Sequence, residues 1–125
     1  NVWIHAAAVL DYYTEAEEGK KPSGVDNWSL DLTPGPKHIA ELASLVEGAT
    51  RIGFKLESDV TPDTLIELAR DQIERYGVNA VIANIMEEMN DPDEIRARVV
   101  HADGTVDEVS DDRALCEAIN GLIKG

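Results

Sequence analysis

Four separated stretches carry residue types suited to lining a ligand site: Asp11, the run Pro36-Lys37-His38, Phe54 and Asn84. A helix opening near Pro36 offers unpaired N–H groups to a phosphate, and the ring of Phe54 offers an apolar wall. Lys20 or Lys21 can neutralise phosphate charge in an otherwise acidic chain. Asp11 and Asn84 fit turn-making equally well. No Gly-Lys-Ser/Thr phosphate loop, Gly-x-Gly-x-x-Gly, His-Glu-x-x-His or paired-cysteine site occurs, so metal hydrolysis and the common nucleotide motifs lose support. Taken singly, His5, His38 and His101 read as packing or surface histidines. The acidic run from Glu87 to Glu94 has oxygen ligands but neither the glycine nor the spacing of a calcium loop, and it reads as solvated. Cys116, the only cysteine, has no disulfide partner and sits in an apolar helical pattern that predicts a buried thiol.

These residues share a site only if the elements between them fold back in order. Trp3 to Val9 is an apolar run ending at Asp11, the pattern of a strand buried on both faces with a polar residue at its carboxyl end. Residues 14–26 are rich in Glu, Lys, Gly and Ser without period, and so long a loop is expected to be a mobile flap or lid. Trp28 to Leu32 alternates as a half-exposed strand does, and Thr33-Pro34-Gly35-Pro36 breaks it and opens a helix with Ile39, Leu42, Ala43 and Val46 on one face and Gly48 at its stop. Arg51 to Leu56 is a further strand. Thr61-Pro62-Asp63 caps a helix carrying Leu65, Ala69, Gln72, Ile73 and Tyr76 inward and ending at Gly77. Ala80 to Ile85 repeats the plan of the first strand. Asp103-Gly104 marks a two-residue hairpin turn between Arg98–Ala102 and Thr105–Val109, and a last helix, capped by Ser110, buries Leu115, Ala118, Ile119 and Leu122.

The alternation predicts one α/β domain over residues 1–125, with a Rossmann-like, mostly parallel sheet, flanking helices and a C-terminal β-hairpin and helix. Ligands bind such sheets at the carboxyl ends of the strands, where Asp11, Phe54 and Asn84 are expected to gather near Pro36-Lys37-His38.

The 125 residues suffice for one core. Eleven Lys and Arg face 25 Asp and Glu, a formal charge of −14 that repels nucleic-acid backbones and anionic membranes. This acid serves either as an ordinary solvated surface or as a halophile's coat. No apolar run approaches the roughly 20 residues of a membrane span, and Asn1-Val2-Trp3-Ile4-His5 lacks the basic flank of a signal peptide, so a soluble cytoplasmic protein is expected.

Five stretches in order resemble the phosphopantothenate–cysteine ligase family of coenzyme A biosynthesis. His5-Ala6-Ala7-Ala8-Val9-Leu10-Asp11-Tyr12 is similar to its Ala-Ala-Ala-Val-Ser-Asp-Tyr strand end, and Gly19-Lys20-Lys21-Pro22-Ser23 to its Lys-Ile-x-Ser flap. Leu32-Thr33-Pro34-Gly35-Pro36-Lys37 resembles the segment before its next helix, Gly53-Phe54-Lys55-Leu56-Glu57-Ser58-Asp59 its Phe-Lys-Leu-Glu-Thr-Asp strand, and Ala80 to Ile85 its Val-Val-Ala-Asn-Ile strand.

The resemblance implies that the carboxylate of 4′-phosphopantothenate attacks the α-phosphate of CTP or ATP, with Mg²⁺ on the triphosphate, and that the amine of cysteine then displaces the nucleotide. It implies a catalytic Lys20, nucleotide binding by His5, Ala6, Ala7, Asp11, Pro36, Lys37, His38, Ile39 and Phe54, further contacts from Lys21 and Asn84, and a homodimer. Asp11 is the one residue it suggests for the metal side. Gln72 and Tyr76 stand where CTP-dependent bacterial members carry two lysines, Leu10 replaces a common serine, and Lys21 replaces an apolar flap residue. The family's chain begins earlier, with a glycine-rich unit unmatched here, so the chain resembles its carboxyl-terminal part and needs an N-terminal half or partner chain. The alternative is a non-catalytic nucleotide-binding or assembly module of the same descent.

Overall fold

The computed structural model describes residues 1–7, 9–16, 18–19, 23–24 and 26–125. Lys20 and Lys21 therefore lie outside the described residues. Five strands form one sheet in the order β1-β4-β5-β6-β7, and β2 (Tyr12–Tyr13) pairs with β3 (Thr33–Pro34) in a separate two-stranded ribbon. β1 (Val2–His5), β4 (Thr50–Glu57) and β5 (Ala80–Ile85) run parallel. β6 (Ala97–His101) is antiparallel to β5, and β7 (Val106–Val109) returns antiparallel to β6. The fold is thus α/β with a mostly parallel sheet. The change of direction has a local cause: only α3 (Met86–Met89) and a loop separate β5 from β6, too little chain for a parallel crossover.

Helices cover both faces. α1 (His38–Leu45) and α2 (Pro62–Tyr76) lie on one side, where Leu65 and Ala69 are buried with Val81, Ala83 and Ile85. α4 (Asp112–Lys124) lies on the other, packing Leu115, Ala118, Ile119 and Leu122 over Ile52, Ile82, Ala97 and Val99. A strand covered twice has no solvent face, and all six residues of β5 are buried. α2 begins where Thr61 accepts a hydrogen bond from the Thr64 N–H and ends at Gly77 with φ 63°, as its sequence signals require.

Several expectations change. The first strand stops at His5 rather than Val9 and is an edge strand, with Trp3 and Ile4 42% and 46% exposed, and among the described residues no strand pairs with its outer edge. Trp28 to Leu32 forms no strand. Trp28, Leu30 and Leu32 are exposed with no sheet to alternate against, and only β3 (Thr33–Pro34) pairs, with β2 (Tyr12–Tyr13). Asp111, not Ser110, caps α4, its carboxylate accepting from the Ala114 N–H at 2.8 Å. Cys116 is exposed, since Leu115, Ala118, Ile119 and Leu122 define a stripe that turns it outward. The hairpin closes through Ala102-Asp103-Gly104, not two residues: the Gly104 N–H donates to His101 O, Gly104 takes φ 92°, and the His101 N–H donates to Thr105 O. Within the acidic run, Glu88 belongs to α3 and makes a two-pronged pair with the buried guanidinium of Arg98 at 2.6 and 3.0 Å.

Candidate functional site

A cleft of about 700 Å³ opens at the carboxyl ends of β1 and β4. Its first wall is the chain leaving β1, from His5 through Ala6 and Ala7 to Asp11. What holds Asp11 there is a close crossing of two segments. The ribbon sets Tyr12 opposite Pro34, and the Gly35 N–H donates to Asp11 O at 2.7 Å. A Cβ on residue 35 would stand 2.9 Å from Leu10 O, so the crossing requires glycine. Beyond it the chain delivers Lys37, whose ammonium donates to Asp11 Oδ1. That hydrogen bond, and then the lysine charges at 37 and 55, hold the Asp11 carboxyl below the ordinary aspartate value, while the same bond raises Lys37.

The second wall is the start of α1. Pro36 cannot supply an N–H and Lys37 caps the helix without a side-chain hydrogen bond; the Ala40 N–H donates to Lys37 O at 2.9 Å, and the N–H groups of His38 and Ile39 receive no side-chain cap among the described residues. Pro36, Lys37, His38 and Ile39 all line the cleft.

β4 supplies the third wall through its alternation. Phe54 turns to the α4 side and packs on the core there, and Lys55 turns the other way, pairing with Glu57 at 2.7 Å. Gly53 lies directly opposite His5. A Cβ at residue 53 would come within 2.7 Å of Gln72 Nε2 and 3.2 Å of Ile39 Cδ1, so its absence lets α1 and α2 close over the strand. Gln72 and Tyr76 of α2 complete the lining. Beneath, the buried Arg51 guanidinium donates to the carbonyls of Ile39, Tyr76 and Gly77 at 3.1, 2.9 and 2.8 Å, which offsets the cost of burying its charge and fixes α1 against the end of α2.

His5 faces this arrangement as a half-buried ring whose Nε2 is buried and finds no hydrogen-bond partner among the described residues. Burial, and secondarily the charge of Arg51, lowers its pKa, favouring the neutral ring.

The structure thus brings His5, Ala6, Ala7, Asp11, Pro36, Lys37, His38, Ile39 and Phe54 to one cleft. Asn84 is elsewhere: it is buried near the end of β5 and donates to Arg96 O, just before β6, at 2.8 Å, a structural bond. Sequence reading missed Arg51 and gave Lys55 no role, because a cation within an apolar strand carries no motif; the alternation opposite Phe54 was the available signal for Lys55. As to a cation, Asp11 is the one carboxylate among the described lining residues, and no group of three metal-ligating side chains gathers among the described residues. A magnesium ion keeps several waters and takes one or two carboxylates plus substrate phosphates, so Asp11 fits as a single ligand to an ion arriving with a triphosphate.

Comparison with known proteins agrees with this architecture. The chain is 36% identical over 86 residues to the Coenzyme A biosynthesis bifunctional protein CoaBC of Thermococcus kodakarensis, a match covering 69% of this chain and 21% of the relative. It is 36% identical over 86 residues to the phosphopantothenate–cysteine ligase of Mus musculus, covering 66% of this chain and 27% of that protein. The match thus spans 21% to 27% of the length of these curated relatives. Its fold matches the crystal structure of a DNA/pantothenate metabolism flavoprotein from Streptococcus pneumoniae with a TM-score of 0.76 at 24% identity, over 96% of this chain and 62% of that one. The model of the DNA/pantothenate metabolism flavoprotein C-terminal domain matches residues 1–120, and the chain belongs to that family.

Proposed function

We propose that this chain is the carboxyl-terminal part of a phosphopantothenate–cysteine ligase, working with an N-terminal unit or partner chain in the cytoplasm. The observation that carries the reading is the cleft in which Asp11 and Lys37, remote in sequence, meet beside the start of α1. The names of the archaeal and mouse relatives support it.

A carboxylate resists attack until one oxygen becomes part of a good leaving group. The site therefore holds two anions, the carboxylate of 4′-phosphopantothenate and the triphosphate of CTP or ATP, in reacting distance and neutralises the charge that develops. The α1 N-terminus and Lys37 meet phosphate, Phe54 forms an apolar side, and Asp11 faces the Mg²⁺ or the sugar. To Lys20, outside the described residues, falls the contact with the triphosphate or acyl-nucleotide that the resemblance implies, and to Lys21 a further contact. The carboxylate oxygen bonds to the α-phosphorus, pyrophosphate leaves, and the amine of cysteine then displaces the nucleoside monophosphate.

The test combines the chain with its N-terminal unit, phosphopantothenate, cysteine and CTP or ATP, and measures pyrophosphate. Release is expected, and Lys20→Ala is expected to slow it by about a hundredfold with little change in melting temperature. Normal turnover in that variant removes the lysine from the mechanism. A nucleotide-dependent rise in melting temperature without turnover of the complete mixture favours the non-catalytic binding module. Absence of both overturns the reading.

A further inference from the structure

We propose that Lys55 binds the carboxylate of 4′-phosphopantothenate and holds it beside the nucleotide, an inference resting on the ligase reading above. In the first step one oxygen of that carboxylate bonds to the α-phosphorus, the bond from that phosphorus to pyrophosphate breaks, and pyrophosphate departs with the electron pair. Carboxylate and triphosphate repel each other on the way to that geometry, so the carboxylate needs a cation of its own, apart from the groups that meet the triphosphate.

Position singles out Lys55. Side chains alternate along β4, so Gly53, Lys55 and Glu57 share one face of the strand. Over Gly53 that face is closed by Gln72, whose Nε2 donates to Phe54 O at 3.5 Å. Lys55 is the next residue on the face, nearer the carboxyl end of β4, and its side chain, 32% exposed, lines the cleft beyond that cover. Glu57 pairs with it at 2.7 Å but is not a lining residue, so the carboxylate that fixes the ammonium stays out of the path of a ligand. An ammonium has three donors, and one ion pair leaves others for a second acceptor. Lys37 is placed differently: its partner Asp11 is itself a lining residue, and the two meet beside the start of α1, where the triphosphate is held. The two cations stand close enough to act together. Asp11 is held below its ordinary value first by the hydrogen bond and charge of Lys37 and, in smaller part, by the charge of Lys55, so Lys55 lies within electrostatic reach of the triphosphate end of the cleft. Once the substrate oxygen bridges to phosphorus its charge is gone, and Glu57 keeps the half-buried ammonium paired.

The experiment titrates the complete enzyme with 4′-phosphopantothenate and with its alcohol analogue, in which a CH2OH group replaces the carboxylate. An α,β-methylene analogue of CTP or ATP is present throughout, so that pyrophosphate cannot leave. The wild type should bind the acid about tenfold more tightly than the alcohol. Lys55→Met should bind the acid about tenfold more weakly and the alcohol as the wild type does, with nucleotide affinity unchanged, and Lys55→Arg should keep part of the preference. Arg75→Gln, which removes an exposed cation paired with Asp71 on α2 outside the cleft, should match the wild type. An acid preference that survives in Lys55→Met overturns the assignment. An equal loss for acid and alcohol also overturns it, because the phosphate common to both would then be the partner. A raised cysteine requirement in consumption of the acyl-nucleotide, with the acid preference intact, gives the lysine to the cysteine carboxylate and overturns it as well. Should Lys55→Met not fold, Lys55→Gln takes its place with the same expectations, and equal wild-type affinity for acid and alcohol overturns the assignment without any variant. A wild-type enzyme that releases no pyrophosphate from CTP or ATP with phosphopantothenate overturns the ligase reading itself; one that releases it but fails the titration overturns this assignment alone.

Discussion

Gly35 shapes the cleft wall through its backbone alone. It carries no functional group, yet its N–H holds Asp11 O and its missing side chain admits Leu10 O, which together bring Asp11 and Lys37 within an ion pair. Gly35→Ala places a methyl 2.9 Å from a backbone oxygen that cannot swing aside, so the two segments must separate. The crossing lies outside both buried clusters. The variant is therefore expected to lose no more than about 1–2 kcal/mol in urea unfolding while the nucleotide-induced rise in melting temperature falls by at least half. An unchanged ligand shift would show that the Asp11–Lys37 pair is not needed for binding. At this scale the sequence was readable where a residue closed an apolar run or belonged to an ordered motif, as with Asp11, Lys37 and Phe54. It was unreadable where the role depends on a neighbour distant in the chain. Nothing near Gly53 announces that Gln72 and Ile39 will occupy the space a methyl would fill, and nothing near Arg51 announces three carbonyl acceptors from two other elements.

Elements were legible where the chain carries its own stop and start signals. α2 is bounded by Thr61-Pro62 and Gly77, and the hairpin by Asp103-Gly104, because these residues act on dihedrals and hydrogen bonds within a few positions. Errors arose where tertiary context decides. The residues from Trp28 to Leu32 have a strand's alternation, but alternation stabilises a strand only when one face finds a surface to cover. For α4, Ser110 and Asp111 are both competent caps, and the register of the helix against the sheet chose the second. That choice is measurable. Asp111→Ala removes the acceptor of the Ala114 N–H and is expected to cost about 1 kcal/mol in urea unfolding, whereas Ser110→Ala is expected to cost only a few tenths. Equal losses from the two would mean that the helix begins one residue earlier.

For the whole molecule, the formal charge of −14 and the exposed apolar residues Leu10, Tyr12, Trp28, Leu30 and Leu32 pull in opposite directions. The apolar set favours association, as the homodimer that the family resemblance implies would need, and the charge opposes bringing two copies together. Salt screens the second effect and leaves the first, with a Debye length of about 8 Å at physiological strength and about 3 Å at 1 M. Sedimentation should therefore give about twice the 13.6 kDa monomer mass, with the dimer strengthening as potassium chloride rises; a monomer at every salt concentration would remove the pairing. β1 adds a separate liability. It ends the sheet, so among the described residues no strand pairs with the N–H and carbonyl groups of its outer edge, while Trp3 and Ile4 stand half-bare on its two faces. Such a border accepts any extended peptide that reaches it, and handling these 125 residues alone will call for protection of that border against indiscriminate β-addition, by a fused strand or by dilution.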